Sequence, residues 1–236
     1  MKSYMCLLYG VALLASTLPA MAFCNVPQPR LVCAEYSASR LVVEATLVRT
    51  RTLQERDDPQ GMSAHLYTLS VSRVLRGRSV GNIQVYEGND SGRANFNWTP
   101  GTTYLLFLFY SSSEKAWQLD GCGNSRPVSE AGAALSEINS IRGTHDGGVI
   151  YGAVSGQLLS VPVPGVRVEA RGSKGHFAAI TDTKGEFQIK VPAGVYSIRV
   201  TGKGQSFGNA DISYEDPHNI RIEPGGCGQV QFSRVR

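Results

Sequence analysis

The chain has 236 residues, of which 23 are lysine or arginine and 19 are aspartate or glutamate, so its formal net charge is +4. This charge is too small to indicate a nucleic-acid-binding protein, which needs a strongly basic surface. The length suffices for two ordinary domains, and the composition and turn spacing change near residue 145. We therefore expect two domains and no nucleic-acid partner.

The N-terminal residues have the features of a secretory signal peptide. Lys2 precedes the apolar run 7–18, and small residues end the segment at Ala22. The apolar run is too short for a membrane span. Phe23 disfavours a lipid anchor, because a small residue is expected there, immediately before the next cysteine. The prediction is a signal peptide at residues 1–22, a secreted or periplasmic protein and no membrane span.

Cysteine is the next informative residue type. Removal of the signal peptide leaves four cysteines: Cys24, Cys33, Cys122 and Cys227. An even number in an exported chain favours disulfides, and four cysteines permit three different pairings. Metal binding is the competing interpretation, but the chain has no Cys-x-x-Cys pair and its histidines are scattered. We predict disulfides, no metal and no cofactor.

The first half of the mature chain is dominated by strand patterns. Strands are predicted at 40–52, 65–75, 81–87, 104–110 and 115–120. The run 104–110 is apolar at every position, so we expect Phe107 and Phe109 in the core. A helix is predicted over 127–141, with Ser125 as its cap. Five strands and one helix suit an OB-type barrel, and a β-sandwich with a trailing helix has the same inventory.

The second half has a different pattern of strands and turns. A glycine-rich segment at 143–148 is predicted to be a flexible linker. Short strands follow at 149–154, 165–171, 176–182, 185–191, 194–201, 207–214, 218–223 and 228–235. Turns at intervals of 8 to 12 residues are typical of a β-sandwich. The turns at Lys184-Gly185 and Ala193-Gly194 suit a backbone with positive φ.

This half also resembles a known family. The residues that carry the resemblance are the segments 152–154, 164–168, 181–187 and 191–196, whose turns and strands follow one another in the same order. They are similar to the carboxypeptidase regulatory-like domain, which is a transthyretin-like β-sandwich. The resemblance covers residues 147–236 and implies no peptidase activity, because in those enzymes the zinc site lies in a separate domain.

The preceding half resembles the netrin-like OB module of the tissue inhibitors of metalloproteinases. The resemblance is carried by Val32 and Cys33, by the strand 41–48, and by 119–122 before a polar turn and a helix. It implies a domain at residues 23–143. The expected fold class is therefore all-β with one helix: an OB-like five-stranded barrel followed by a transthyretin-like β-sandwich.

The netrin-like resemblance also implies a disulfide pairing. In that family, the cysteine before the polar turn and helix pairs with a cysteine of the N-terminal segment, which implies a Cys24–Cys122 bond. Cys33 and Cys227 are then left to pair across the two domains. The family blocks metalloproteinases with the amino group of an N-terminal cysteine, but the residue expected at the cleaved terminus is Phe23. Metalloprotease inhibition is therefore the alternative function.

The first functional prediction is an exported, non-enzymatic binding or accessory protein whose partner is an extracytoplasmic protein or a glycan. Loops carry binding more often than strands do, which points to the segments 54–61 and 88–101. The predicted contact residues on these loops are Asp57, Asp58, Asn89, Arg93 and Trp98. Ser91 and the adjacent pair His145 and Asp146 do not provide a nucleophile with an oriented base, so no enzyme is predicted.

Overall fold

The computed structural model describes residues 29–54, 63–78, 81–89, 93–143, 145–156, 161–202, 204–210 and 215–235. Over these residues the chain is mostly β, with two short α-helices. The all-β prediction is confirmed, with one helix more than expected. Neither of these helices has the length and apolar character needed to cross a membrane.

The elements divide into an N-terminal and a C-terminal group. The helices are α1 (Val32–Ala38) and α2 (Gly132–Ile141), with a 3-10 turn at Val128–Glu130 before α2. The N-terminal strands are β1 (Leu41–Gln54), β2 (Ser63–Arg76), β3 (Asn82–Glu87), β4 (Thr103–Ser111), β5 (Ala116–Leu119) and β6 (Arg126–Pro127). The C-terminal strands are β7 (Gly147–Ser155), β8 (Arg167–Gly172), β9 (Gly175–Ile180), β10 (Glu186–Pro192), β11 (Gly194–Thr201), β12 (Ser206–Asn209), β13 (Ile220–Ile222) and β14 (Cys227–Val235).

The N-terminal strands form one sheet with the order β1-β2-β3-β5-β4-β6, and β1 also pairs with β4. The pairings therefore run in a ring, β1 to β2, β3, β5, β4 and back to β1. All of them are antiparallel except β3 with β5. The 14-residue strand β1 pairs with β2 along one edge and with β4 along the other, and irregularities in its register with β2 bend it along its length.

Strand β4 divides its side chains between two cores. Tyr104, Leu106 and Leu108 pack inside the ring, whereas Leu105 and Phe107 pack outside it against α2. The prediction of a strand buried on both faces holds for these five residues. It is wrong for Phe109, which is 45% exposed because β4 there runs beyond the cover of the helices.

The predicted start of the second helix is also wrong. Helix α2 begins at Gly132, because Arg126 and Pro127 continue the sheet by pairing with β4. Ser125 does not cap the helix. Its hydroxyl instead accepts a hydrogen bond from the backbone N–H of Phe107 at 3.0 Å. This bond connects the segment directly before β6 to β4.

Helix α1 was not predicted from the sequence. It has seven residues and no capping side chain at its own start. A backbone N–H of its first turn finds its hydrogen-bond acceptor in the other helix, because Glu137 of α2 accepts a hydrogen bond from the N–H of Cys33 at 3.0 Å. Tyr36 is buried against the N-terminal group and Ala34 is also buried, so tertiary contacts stabilise a helix too short to form alone.

The C-terminal strands form two four-stranded sheets, β10-β7-β14-β12 and β13-β11-β8-β9. One hydrophobic core contains side chains from both, so the sheets pack face to face. The eight strands correspond in order to the eight predicted ones. At the turn before β10, Gly185 has φ +74°, and an added Cβ would lie 2.5 Å from the carbonyl oxygen of Val154, so the glycine prediction is confirmed there. At the turn before β11 it is wrong, because Gly194 does not have a positive φ.

Direct bonds join the two groups. Cys33 of α1 is disulfide-bonded to Cys227 at the start of β14. Arg76 donates two hydrogen bonds to Glu223, at 2.7 and 2.8 Å. The segment predicted as a flexible linker is partly structured, because β7 begins at Gly147, whose carbonyl accepts a hydrogen bond at 2.8 Å.

Candidate binding groove

An open groove of about 570 Å³ lies on the N-terminal sheet where β3 and β5 diverge. These two strands pair at a single position, Val85 opposite Trp117, whereas β3 pairs with β2 along its whole length. In the described chain, the edge of β3 that faces β5 is therefore unpaired from Asn82 to Gln84. The divergence creates the groove, since neighbouring strands in a continuous sheet lie only about 4.8 Å apart.

Two aromatic side chains form one wall of the groove. Tyr110 near the end of β4 lies opposite Trp117 on β5, with ring centroids 5.4 Å apart in an edge-to-face arrangement. The Tyr110 side chain is 44% exposed, whereas Trp117 is partly buried against the core. An exposed ring held by a second ring offers a flat apolar surface on which a sugar or another ring can stack.

Apart from Ile83 and Ala116, the rest of the lining is polar or cationic. Asn82 and Gln84 of β3 alternate with buried residues, so both face outward, and Thr68 lies beside them on β2. Arg78 and Lys115 add two positive charges. No carboxylate occurs in the described lining, so its charge is positive. Amides and a hydroxyl suit a hydroxyl-rich ligand, and the two cations suit one that carries acidic groups.

The turn between β4 and β5 places one of these cations in a strained backbone conformation. Lys115 has φ +51°, and no other non-glycine residue in the described chain has a positive φ. The rest of the turn is stabilised by the Ser111 hydroxyl, which hydrogen-bonds the Ser113 hydroxyl at 2.9 Å and accepts from the N–H of Glu114. A left-handed lysine costs about 1–2 kcal/mol, and such strain is common at functional sites.

Trp98, a predicted contact residue, lies elsewhere in an aromatic cluster. Its ring stacks on Tyr67 with centroids 4.4 Å apart and contacts Phe96 and Tyr104 at 4.9 Å each. These residues pack against the core inside the ring of strands. The position of Trp98 is therefore explained by packing.

Glu87 fixes the segment that carries this cluster. Its carboxylate accepts hydrogen bonds at 2.8 Å from the Tyr67 hydroxyl and from the backbone N–H of Ala94. Burial and the neighbouring Glu87 charge raise the pKa of Tyr67 well above its usual range. The hydroxyl therefore stays protonated and remains a donor to Glu87.

The other predicted contact residues are not brought together at the groove. Asn89 is partly buried after β3, and Arg93 is exposed at the start of the Trp98 segment. Asp57 and Asp58 lie outside the described residues. None of the described candidates lines the groove, so the residues that do line it were missed, although the Asn82-Ile-Gln-Val85 alternation marks an outward polar face.

Three of the four predicted disulfide cysteines are in the described chain, and all three are disulfide-bonded. Cys33 and Cys227 are paired with a Cα–Cα distance of 5.4 Å, which is the pairing that the netrin-like resemblance leaves for them. Cys122 is also disulfide-bonded. Its predicted partner, Cys24, lies outside the described residues, so that pairing stays a prediction.

A buried carboxyl group and a partly buried one lie near the junction between the two groups of strands. Glu35 of α1 accepts hydrogen bonds from the backbone and side-chain amides of Asn124, at 2.6 and 2.8 Å, and lies 3.9 Å from Arg30. Burial raises the pKa of Glu35. Glu215 accepts a hydrogen bond from the N–H of Gln229 at 3.0 Å, and burial raises its pKa to about 7. The Glu35 contact joins residues 89 apart in the chain, and the Glu215 contact joins residues 14 apart.

Within the described part of the chain, the residues considered for catalysis do not form a catalytic arrangement. His145 donates a hydrogen bond from Nε2 to the carbonyl oxygen of Ser140 at 2.9 Å, so this contact, and not Asp146, orients its ring. Ser91 lies outside the described residues. Across the described ranges, no three histidine, cysteine, aspartate or glutamate side chains are grouped so that they could hold a metal ion.

A scan of the chain against protein-family models and a search for similar curated proteins both found no match.

Proposed function

We propose that this protein is an exported binding protein without catalytic activity, and that it holds an acidic glycan in the groove between β3 and β5. The N-terminal signal pattern supports export, and the Cys33–Cys227 disulfide suits an oxidising compartment. The observation that carries the binding role is the groove itself, which combines an exposed aromatic wall with amides and two cations.

The proposed architecture is an OB-type barrel followed by a transthyretin-like sandwich. The ring of pairings with its single parallel contact, β3 to β5, supports the first assignment. The two facing four-stranded sheets support the second, together with the turn residues that resemble the carboxypeptidase regulatory-like domain. In this arrangement the barrel provides the ligand site, and the sandwich is a support attached to it.

A protein segment is the second candidate ligand. The unpaired edge of β3 from Asn82 to Gln84 leaves backbone groups to which an extended peptide can add as a further strand. An acidic peptide would also suit Arg78 and Lys115. The two candidates are distinguished by a competition experiment between an acidic peptide and an acidic glycan. The class of ligand that this site recognises is expected to displace the other, because it binds with the higher affinity.

The proposal is tested with oligosaccharides of uronic acids, compared by calorimetry with neutral oligosaccharides of equal length. Tyr110→Ala is expected to weaken binding of the acidic ligand about tenfold, since a stacking contact contributes roughly 1.4 kcal/mol. Phe109→Ala is the matched control, because Phe109 is similarly exposed but points to the opposite face of β4. Equal loss in both variants, or no preference for the acidic ligand, contradicts the proposal.

Metalloprotease inhibition stays a prediction, because the N-terminal residues on which it depends lie outside the described residues. Mass spectrometry of the mature N-terminus tests it. A chain that begins at Cys24 supports inhibition, and one that begins at Phe23 argues against it.

A further inference from the structure

The outer face of the sheet β13-β11-β8-β9 is unusually rich in arginine. Along β8, Val168 and Ala170 point into the core, so Arg167, Glu169 and Arg171 point outward. The same alternation on the neighbouring strands adds two exposed arginines to this face. They are Arg199 on β11 and Arg221 on β13. Four arginines and one glutamate give this face a formal charge of +3, close to the +4 of the entire chain.

The one carboxylate of β8 is recessed among the arginines. Glu169 accepts hydrogen bonds from Arg167 at 2.9 Å and from Arg171 at 2.8 Å. Its side chain is only 12% exposed, whereas those of Arg167 and Arg171 are 53% and 58% exposed. Each guanidinium has five N–H donors, so both arginines keep donors for a ligand above the sheet. Glu169 therefore orders the arginines while the exposed charge remains positive.

The arginines are spread in two dimensions over this face. Arg199 lies directly opposite Glu169 in the register of β11 and β8, and Arg221 lies opposite Val195 on the far side of β11. Arg167 and Arg171 are four residues apart on β8, a distance of about 13 Å. Glu223 follows Arg221 closely, but its charge is balanced by the two hydrogen bonds it accepts from Arg76.

Apolar side chains share the same surface. Val195 on β11 and Ile180 on β9 point outward with the arginines, and both are well exposed. Cations mixed with exposed apolar side chains on one flat face are suited to the headgroup region of a bilayer. A linear polyanion follows one track and would leave part of a two-dimensional arrangement without a partner. The charge pattern therefore favours a surface of anionic headgroups.

We propose that the outer face of the sheet β13-β11-β8-β9 is a peripheral docking surface for an anionic lipid bilayer. The arginines bind headgroup phosphates, and Val195 and Ile180 contact the interface beside them. This surface is distinct from the groove between β3 and β5, and the proposal does not depend on the groove's function.

The test is co-sedimentation of the full chain with vesicles. One set consists of phosphatidylcholine alone, and the other contains one third phosphatidylglycerol. We expect binding to the anionic vesicles only, and its loss at about 1 M salt, where the screening length falls to about 3 Å. The double variant Arg199→Gln/Arg221→Gln is expected to lower the partition coefficient about 25-fold, since each surface cation contributes about a fivefold effect.

The matched control is the double variant Arg49→Gln/Arg51→Gln. These two arginines are also exposed on a strand, lie on β1, and change the net charge by the same amount. None of the four substituted arginines forms an ion pair with another described residue, so the comparison does not remove a salt bridge. Circular dichroism checks that each variant is folded. The control is expected to bind vesicles within about twofold of the wild type, since its arginines lie outside the docking face.

Three results would overturn the proposal. Equal binding to neutral and anionic vesicles shows that charge does not drive docking. Equal losses in the two double variants show that net charge matters and this face does not. Tight binding of soluble dextran sulfate, with no binding to anionic vesicles, identifies a soluble polyanion as the partner of the face and excludes the bilayer.

Discussion

Glu215 should make the stability of this protein depend on pH near neutrality. Its carboxyl group is largely buried beside β14 and accepts a hydrogen bond from the N–H of Gln229. Burial disfavours the charged form and raises the pKa of Glu215 from 4.5 to about 7, against the smaller opposing effects of that hydrogen bond and of Arg30. The folded protein therefore holds this proton more tightly than the unfolded chain does.

The sign and size of the effect follow from that difference in pKa. Below about pH 4.5 the group is protonated in both states and does not disfavour folding. As the pH rises from about 4.5 to about 7, the unfolded chain ionises first, so stability is lost over this range. A shift of about 2.5 units, at 1.36 kcal/mol for each unit, corresponds to a loss of about 3 kcal/mol by pH 8.

Glu215→Gln removes the ionisation and keeps an oxygen that can accept from Gln229. Urea unfolding at about pH 4.5 and about pH 8 is expected to show similar stabilities for wild type and variant at the lower pH. At the higher pH the variant should be more stable by up to about 3 kcal/mol. Glu130→Gln, at an exposed position, controls for the loss of one charge. A variant with the same pH dependence as the wild type would refute the reasoning.

Three further substitutions test other parts of the structure. Replacing both Cys33 and Cys227 with alanine removes a cross-link between residues 194 apart in the chain, which is expected to lower the free energy of unfolding by about 2–5 kcal/mol. A loss below about 1 kcal/mol in urea unfolding would contradict this expectation. Lys115→Asn should raise the free energy of unfolding by about 1 kcal/mol, because asparagine tolerates positive φ. A lower melting temperature would argue against backbone strain at this position. Thr181→Val removes the buried hydroxyl that donates to Val163 at 2.8 Å and accepts from the N–H of Val166; thermal unfolding should show a loss of about 1–3 kcal/mol, and an unchanged midpoint would show that these bonds do not stabilise the turn.

Local patterns were sufficient for most strands. Along β10, every second residue from Phe187 to Val191 is buried and the residues between are exposed, so the period of two in the sequence carries the assignment. Glycine turns such as the one at Gly185 mark where the strands end. These features depend on residues within a few positions of one another, which a single sequence displays directly.

Features that depend on distant contacts were missed. The capping group of α1 comes from Glu137, which is 104 residues away from Cys33 in the chain. Phe109 continues an apolar run, and only the positions of the helices explain why it is 45% exposed. The groove likewise results from the way in which β3 and β5 diverge, although its polar side chains were visible in the sequence.

Helix α1 explains how the two groups of strands are held together, and why the junction contains buried polar side chains. Its Glu35 binds Asn124 of the N-terminal group, while its Cys33 is bonded to Cys227 of the C-terminal group. The N–H of Leu31, directly before the helix, donates to the buried side chain of Gln229 at 2.8 Å. Apolar packing alone would tolerate several docking positions, but a buried polar network is satisfied in few of them. The junction therefore fixes how the groove is placed relative to the arginine face. A ligand held in the groove would then have a defined position relative to any surface to which that face binds.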